Sequence, residues 1–160
     1  MARTTTKHAI FVKFASPYGS PMLEAVGTGT IYPGDLVEIK PGGTKLQVHS
    51  TASGASARFI AIENPTPNTS STYAGSASID IPYTSGDTVY YRMGQRGDEV
   101  NMRWATSVTA VKGVSWMTSD GSGQLTNCGT GVSVGTSNPV GLAWVAQTTS
   151  GITRGLVKIV

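Results

Sequence analysis

The sequence has little charge, a single cysteine and no long apolar run. Only 13% of its 160 residues are charged, which excludes a coiled coil or long-helix protein. One cysteine, Cys128, cannot form an internal disulfide, so we expect a fold that does not depend on oxidation. No segment approaches the roughly 20 apolar residues of a membrane-spanning helix, and the first residues lack a secretion-signal pattern. We therefore expect no membrane partner and synthesis in the cytoplasm without export.

Charge of one sign is nowhere concentrated. The chain has 12 Lys and Arg against 9 Asp and Glu, which gives a net charge of +3, and its pI is about 9.1. Nucleic-acid-binding surfaces usually carry a basic cluster, and no such run occurs here. We expect no direct contact with nucleic acid.

Glycine is abundant, at 20 residues, and 39% of the chain is hydrophobic, enough for the core of one domain. Gly34-Asp35, Gly86-Asp87 and Gly97-Asp98 each precede a short β-prone stretch. Glycine tolerates the positive φ of a tight turn, and aspartate can hydrogen-bond the nearby backbone. These dipeptides predict strand starts and an all-β fold, a small barrel or sandwich. The predicted strands are 36–39, 45–49, 57–62, 77–81, 88–91, 99–102, 112–117, 140–145 and 154–160.

Residues 1–26 differ from the rest of the chain. A polar start is followed by an apolar run at 9–14 and by Pro17 and Pro21. We predict an extended N-terminal arm over 1–26 and a single β-rich domain over 27–160. Two interpretations of the arm stay open: a frayed terminus before an ordinary first strand, or a strand that pairs with the sheet edge of a partner.

Residues that could carry chemistry are scattered. His8 and His49 have no second ligand at metal-site spacing, and Cys128 lies in a Gly/Thr loop with neither histidine near it in sequence. We predict no catalytic residue, no metal and no cofactor. The three tryptophans, Trp104, Trp116 and Trp144, are either core residues or anchors of a subunit interface.

The order of several motifs resembles the capsid decoration proteins of tailed bacteriophages. The motifs are GTGTIYPGDLV at 27–37, HSTASG at 49–54, FIAIEN at 59–64, PYTSGDTV at 82–89, DGSGQL at 120–125, VGLA at 140–143 and VKIV at 157–160. The resemblance implies a β-tulip-like barrel and a cement protein similar in kind to the head-stabilising protein of phage lambda.

What this resemblance implies about function is specific. Such proteins sit as homotrimers on the outer surface of the expanded virion capsid, at local three-fold positions, and stabilise the shell against internal DNA pressure. The implied partners are the major capsid protein and further copies of the chain itself, with no catalytic residues. By analogy, the arm would add a strand to an edge of the capsid protein. Its residues in this role are Thr4, Thr5, Thr6, Lys7, His8, Ile10, Phe11, Val12 and Phe14.

Three other functions remain as alternatives. A virion-associated carbohydrate- or receptor-binding domain would use the polar loops 64–72 and 127–139, with Tyr73 or Trp116 stacking on sugars. A small hydrolase would pair His49 with a carboxylate. A nucleic-acid-binding module is suggested only by the basic pI.

Overall fold

The computed structural model describes residues 9–65, 76–128 and 138–160. Within these ranges the chain forms thirteen β-strands and no α-helix, which confirms the predicted all-β fold with a small barrel. No helix in these ranges is long and apolar enough to cross a membrane. The strands are β1 (Phe11–Lys13), β2 (Met22–Val26), β3 (Leu36–Ile39), β4 (Leu46–Val48), β5 (Phe59–Ala61), β6 (Thr88–Met93), β7 (Glu99–Trp104), β8 (Thr109–Ala110), β9 (Trp116–Ser119), β10 (Leu125–Asn127), β11 (Gly141–Ala143), β12 (Gln147–Thr148) and β13 (Thr153–Ile159).

Five of these strands close into a barrel. The sheet order is β1-β7-β10-β9-β11-β13, and β13 also pairs with β7, so β7, β10, β9, β11 and β13 form a closed ring. β1 pairs with the first residues of β7, and β8 and β12 form a separate two-stranded sheet. Along β7, Val100, Met102 and Trp104 alternate with Glu99, Asn101 and Arg103. The first three are fully buried in the larger core cluster, so they face inward, and the second three lie on the outer face.

The remaining long strands form a second sheet in the order β2-β6-β5-β3-β4, with every pairing antiparallel. Gly27, just after β2, bridges Leu46 in β4, which curls this sheet onto itself. Its apolar side packs around Leu46, Tyr83 and Val89, all fully buried. Leu36 and Ile60 of the same sheet belong to the barrel's core cluster, so the two sheets share apolar packing.

The three Gly-Asp dipeptides form the turns that the sequence predicts. Gly34, Gly86 and Gly97 have φ values of 90°, 98° and 96°, a region that other residues rarely adopt. Each following aspartate accepts a hydrogen bond from the backbone N–H three residues earlier, at 2.6–2.9 Å. A shared turn chemistry therefore starts β3, β6 and β7.

The strand predicted at 77–81 was wrong. Residues 77–81 contain a 3₁₀ turn at Ser78–Asp80 rather than a strand. Ile79 is buried in the barrel's core cluster, and the backbone carbonyl of the same residue accepts a hydrogen bond from Arg154. Ile79 is therefore buried from a turn and not from a strand.

Residues 9–26 of the predicted N-terminal arm contain two strands that pair with the body. β1 pairs with β7, and β2 is a full strand of the second sheet, paired with β6 over all five of its residues. The boundary expected after residue 26 thus falls at the end of a strand of the body. Residues 1–8 of the predicted arm lie outside the described residues.

Candidate functional site

The N-terminal segment, residues 9–26, runs from the barrel to the second sheet and is fixed to both. Asn101 of β7 donates from its backbone to the Ile10 carbonyl at 2.7 Å and from its side chain to the Ala9 carbonyl at 2.9 Å. The backbone N–H of Ala15 donates to Asp98 at 2.7 Å, and Arg92 of β6 donates to the Ser20 carbonyl. These contacts hold the segment against the body.

Much of the exposed apolar surface lies on this segment. Among the described residues, eleven large apolar side chains are exposed, and six of them belong to the N-terminal segment. We call these six the N-terminal apolar surface: Val12, Phe14, Tyr18, Met22, Leu23 and Val26. Tyr18 is 94% exposed and Met22 is 53% exposed. Isolated exposed apolar residues are normal, but a concentration of them is typical of an interaction site.

Arg92 lies next to two residues of this surface, one after β1 and one in β2. Its guanidinium lies 5.5 Å from the centre of the Phe14 ring, and its register partner across the β2–β6 pair is Met22. The Phe14 ring also stacks on Phe11 at 5.3 Å. Phe14, just after β1, and Met22 of β2 therefore both neighbour the same arginine.

The predicted arm residues separate into three groups. Thr4, Thr5, Thr6, Lys7 and His8 lie outside the described residues. Ile10 is a correction, because it is fully buried in the barrel's core cluster and cannot contact a partner, while Phe11 packs against the same cluster. Val12 and Phe14 are exposed, as an interface residue must be.

Trp104 is also corrected as an interface residue. Its side chain is fully buried, and Gly155 of β13 lies so close to the ring that a Cβ at that position would overlap it. The alternation of Val100, Met102 and Trp104 with polar residues along β7 is the sequence signal that places this ring inside the barrel.

Trp116 and Trp144, in contrast, are half-buried on the outer face of the barrel. Trp116 is the register partner of Leu142 on β11, and Leu142 is the partner of Lys158 on β13. Trp144 follows two residues after Leu142, and its backbone N–H continues the ladder to the Leu156 carbonyl at 2.7 Å. The ammonium groups of Lys158 and Lys112 lie 4.7 and 5.4 Å from the Trp144 ring centre. We call Lys112, Trp116, Leu142, Trp144 and Lys158 the Trp–Lys surface.

A polar cluster joins the barrel to the second sheet. The buried carboxylate of Asp35 accepts a hydrogen bond from Arg103 at 3.0 Å, and Arg154 donates to Asp80 at 2.5 Å and to the Pro33 carbonyl at 3.1 Å. Burial raises the pKa of Asp35 to about 6, against the opposing effects of Arg103 and of the hydrogen bond from the Tyr32 backbone. The cluster is thus a contact between layers, and its two arginines are already paired with carboxylates.

His49 has the carboxylate neighbour that a hydrolase would need, but in a buried setting. Its Nδ1 lies 2.8 Å from Ser119 Oγ, and its Nε2 lies 3.1 Å from the Ala55 carbonyl and 3.7 Å from Glu38. Partial burial opposes ionisation of Glu38, yet hydrogen bonds from Ser50 and Gln47 lower its pKa. Because His49 and Ser119 are 2% and 0% exposed, a substrate cannot reach them, and the contacts connect strands instead.

The structure adds three observations on the other residues considered in the sequence analysis. The described residues contain no group of three or more His, Cys, Asp or Glu side chains that could hold a metal ion. Cys128 is half-buried, and burial raises the pKa of its thiol. Most of the two loops proposed for sugar binding, and Tyr73 with them, lie outside the described residues.

Comparisons with known proteins add no family to this description. No protein-family model matches the chain, and no curated protein sequence matches it.

Proposed function

We propose that this protein is a capsid decoration protein, which binds the outer surface of an expanded phage shell as a homotrimer and stabilises it against internal DNA pressure. Two lines of support exist: the order of the sequence motifs, which resembles that family, and one structural observation. The observation is the concentration of exposed apolar side chains on the N-terminal segment, at Val12, Phe14, Tyr18, Met22, Leu23 and Val26.

This surface has the energetic properties of a docking surface. Complete burial of a valine, leucine, methionine or phenylalanine side chain contributes roughly 1.5–3 kcal/mol, so a few such contacts per copy give a useful affinity. Hydrogen bonds from Asn101 and Arg92 to the segment, and one from the Ala15 backbone N–H to Asp98, hold the segment in place before binding. Such preorganisation lowers the entropic cost of docking.

The backbone of the segment offers a second mode of contact. Among the described residues, β1 pairs only with β7 and β2 only with β6, and the edge of β2 ends where Gly27 bridges Leu46. An edge strand presents unpaired N–H and C=O groups to which a strand of another protein can add. A capsid-protein edge strand is the partner proposed for one of these edges.

The stabilising mechanism is thermodynamic linkage. A protein that binds the expanded lattice and not its precursor stabilises the expanded state by the difference in binding free energy. Three copies in one trimer raise the effective concentration for each further contact, so a modest affinity per copy gives tight attachment.

The experiment is co-sedimentation with cognate expanded shells that have been stripped of decoration. We expect Tyr18→Glu and Met22→Glu to reduce the bound amount at least about tenfold, because each places a charge in a contact that must become dry. Ile39→Glu is the matched control, since Ile39 is 40% exposed at the end of β3, outside the segment. Binding of both N-terminal variants at the level of the control would overturn this role of the segment.

A further inference from the structure

We propose that the Trp–Lys surface is a docking site for an acidic peptide segment of a partner protein, with an apolar side chain against Trp116 and Leu142 and carboxylates on Lys112 and Lys158. This site is separate from the N-terminal apolar surface and does not depend on the proposed function.

At several other positions on the outer face of the barrel, a neighbouring part of the described chain contacts the outward side chain. Asn101 is covered by the N-terminal segment, to which it donates two hydrogen bonds. Arg103 contacts Asp35 of the second sheet, and Thr118 donates to the Asn138 carbonyl. Trp116, Leu142, Trp144 and Lys158 remain half-exposed. A face with two tryptophans and a leucine has the composition of an interface core.

The two lysines lack a carboxylate partner among the described residues. Lys158 is the register partner of Glu99, but the ion pair of Glu99 is with Lys13, at 4.0 Å. Both Lys158 and Lys112 extend over the Trp144 ring instead. A cation–π contact holds an ammonium group in place without neutralising it, so both charges are available to an incoming anion.

The backbone around the lysines is fixed by hydrogen bonds. The turn that carries Lys112 is closed by a bond from Val114 N–H to the Val111 carbonyl at 3.1 Å, and Gly113 N–H donates to the Ala143 carbonyl at 2.7 Å. Ser115 Oγ accepts from Val111 N–H at 2.9 Å. The turn thus places Lys112 beside Trp144, and Val111 and Val114 extend the apolar area, at 53% and 44% exposed.

The geometry favours an acidic peptide over other occupants. A nucleic acid contacts proteins through several phosphates, whereas this surface offers two cations, and Arg103 and Arg154 on the strands of the same barrel are ion-paired. A second copy that used the same surface would bring four lysines together, and like charges repel. A sugar stacked on Trp144 would have to displace the ammonium groups over the ring.

The test uses the indole N–H signals of the full chain in a ¹⁵N–¹H NMR spectrum, assigned with Trp116→Phe and Trp144→Phe. The probe is a synthetic peptide of alternating glutamate and leucine, compared with one in which lysine replaces glutamate and one in which serine replaces leucine. We expect only the first peptide to shift the Trp144 and Trp116 signals. The Trp104 signal, from inside the barrel, is the internal reference.

Charge variants make the test specific. We expect Lys112→Glu and Lys158→Glu each to weaken peptide binding at least about fivefold, because reversal turns an attraction into a repulsion. Lys45→Glu, an equal charge change at an exposed residue just before β4, should leave binding unchanged. No shift at millimolar peptide, an equal response to the lysine peptide, or tighter binding of single-stranded DNA would overturn the proposal. Shifts that depend on protein concentration without peptide would also overturn it, in favour of self-association.

Discussion

At the scale of single residues, the buried carboxylate of Asp35 is an example of a polar group that connects the two sheets. Asp35 lies in the interior where the barrel meets the second sheet, and its carboxylate contacts Arg103 and the Tyr32 backbone. Loss of hydration outweighs these favourable contacts, so the pKa is raised. Arg103, in turn, lies 4.1 Å from the centre of the Tyr32 ring. One turn residue therefore serves both the start of β3 and the contact between layers.

Asp35→Asn should reveal this shift as a pH dependence of stability. The folded pKa of about 6 exceeds the ordinary 3.8, so the folded state holds the proton more tightly than the unfolded chain. The resulting stabilisation is complete below about pH 4 and is lost as the pH rises through 6. Between these limits, we expect the free energy of unfolding of the wild type, relative to Asp35→Asn, to fall by up to about 3 kcal/mol. Urea denaturation at several pH values measures this difference, and an increase with pH would contradict the account.

Gly155 is a second residue at which a substitution should change the stability by a predictable amount. Its φ is not positive, so alanine would cost little in backbone strain, but the added Cβ would overlap the Trp104 ring. We expect Gly155→Ala to lower the free energy of unfolding by about 1–3 kcal/mol, as overpacking does. Gly151→Ala, where nothing lies within 4 Å of the added Cβ, should change it by less than about 0.5 kcal/mol. Thermal denaturation of the two variants measures the difference in their stability. Equal midpoints would show that the barrel interior accommodates the methyl group.

At the scale of elements, the N-terminal segment has two different sides. Ile10 is in the core, whereas Val12, two residues later, is 48% exposed. The segment is therefore part of the folded body and also carries much of its exposed apolar surface. Removal of the whole segment would damage the fold together with any contact to a partner.

Ile10→Ala and Val12→Ala should show that the buried residue of the segment contributes to stability and that the exposed residue does not. We expect Ile10→Ala to cost about 2–5 kcal/mol of stability, because it leaves a cavity in the core cluster. Val12→Ala should cost less than about 0.5 kcal/mol. Denaturant unfolding gives both values, and a small effect at Ile10 would mean that the segment is not integral to the barrel.

Local chemistry explains which elements could be predicted from the sequence. The Gly-Asp turns predict the starts of β3, β6 and β7, because the hydrogen bonds of each turn join residues at most four positions apart. β2 was not among the predicted strands because its apolar residues do not alternate with polar ones, and Met22, Leu23 and Val26 are exposed. The Trp–Lys surface could not be predicted, because it depends on the register of Trp116 with Leu142 and of Leu142 with Lys158.

At the scale of the whole molecule, the barrel and the second sheet form a body with two partly apolar surfaces. The N-terminal apolar surface runs along the segment that joins the two sheets, and the Trp–Lys surface lies on the outer face of the barrel. In the proposed function, the first surface contacts the shell. The second is available to a partner with acidic side chains.

The most direct test of the central claim is to count bound copies per capsid-protein subunit when the protein is co-sedimented with stripped, expanded cognate shells and with their unexpanded precursors. The account predicts saturable binding to expanded shells, an occupancy that matches trimers at three-fold positions, and no binding to precursors. Absence of binding to verified cognate expanded shells, or equal binding to precursors, would contradict it.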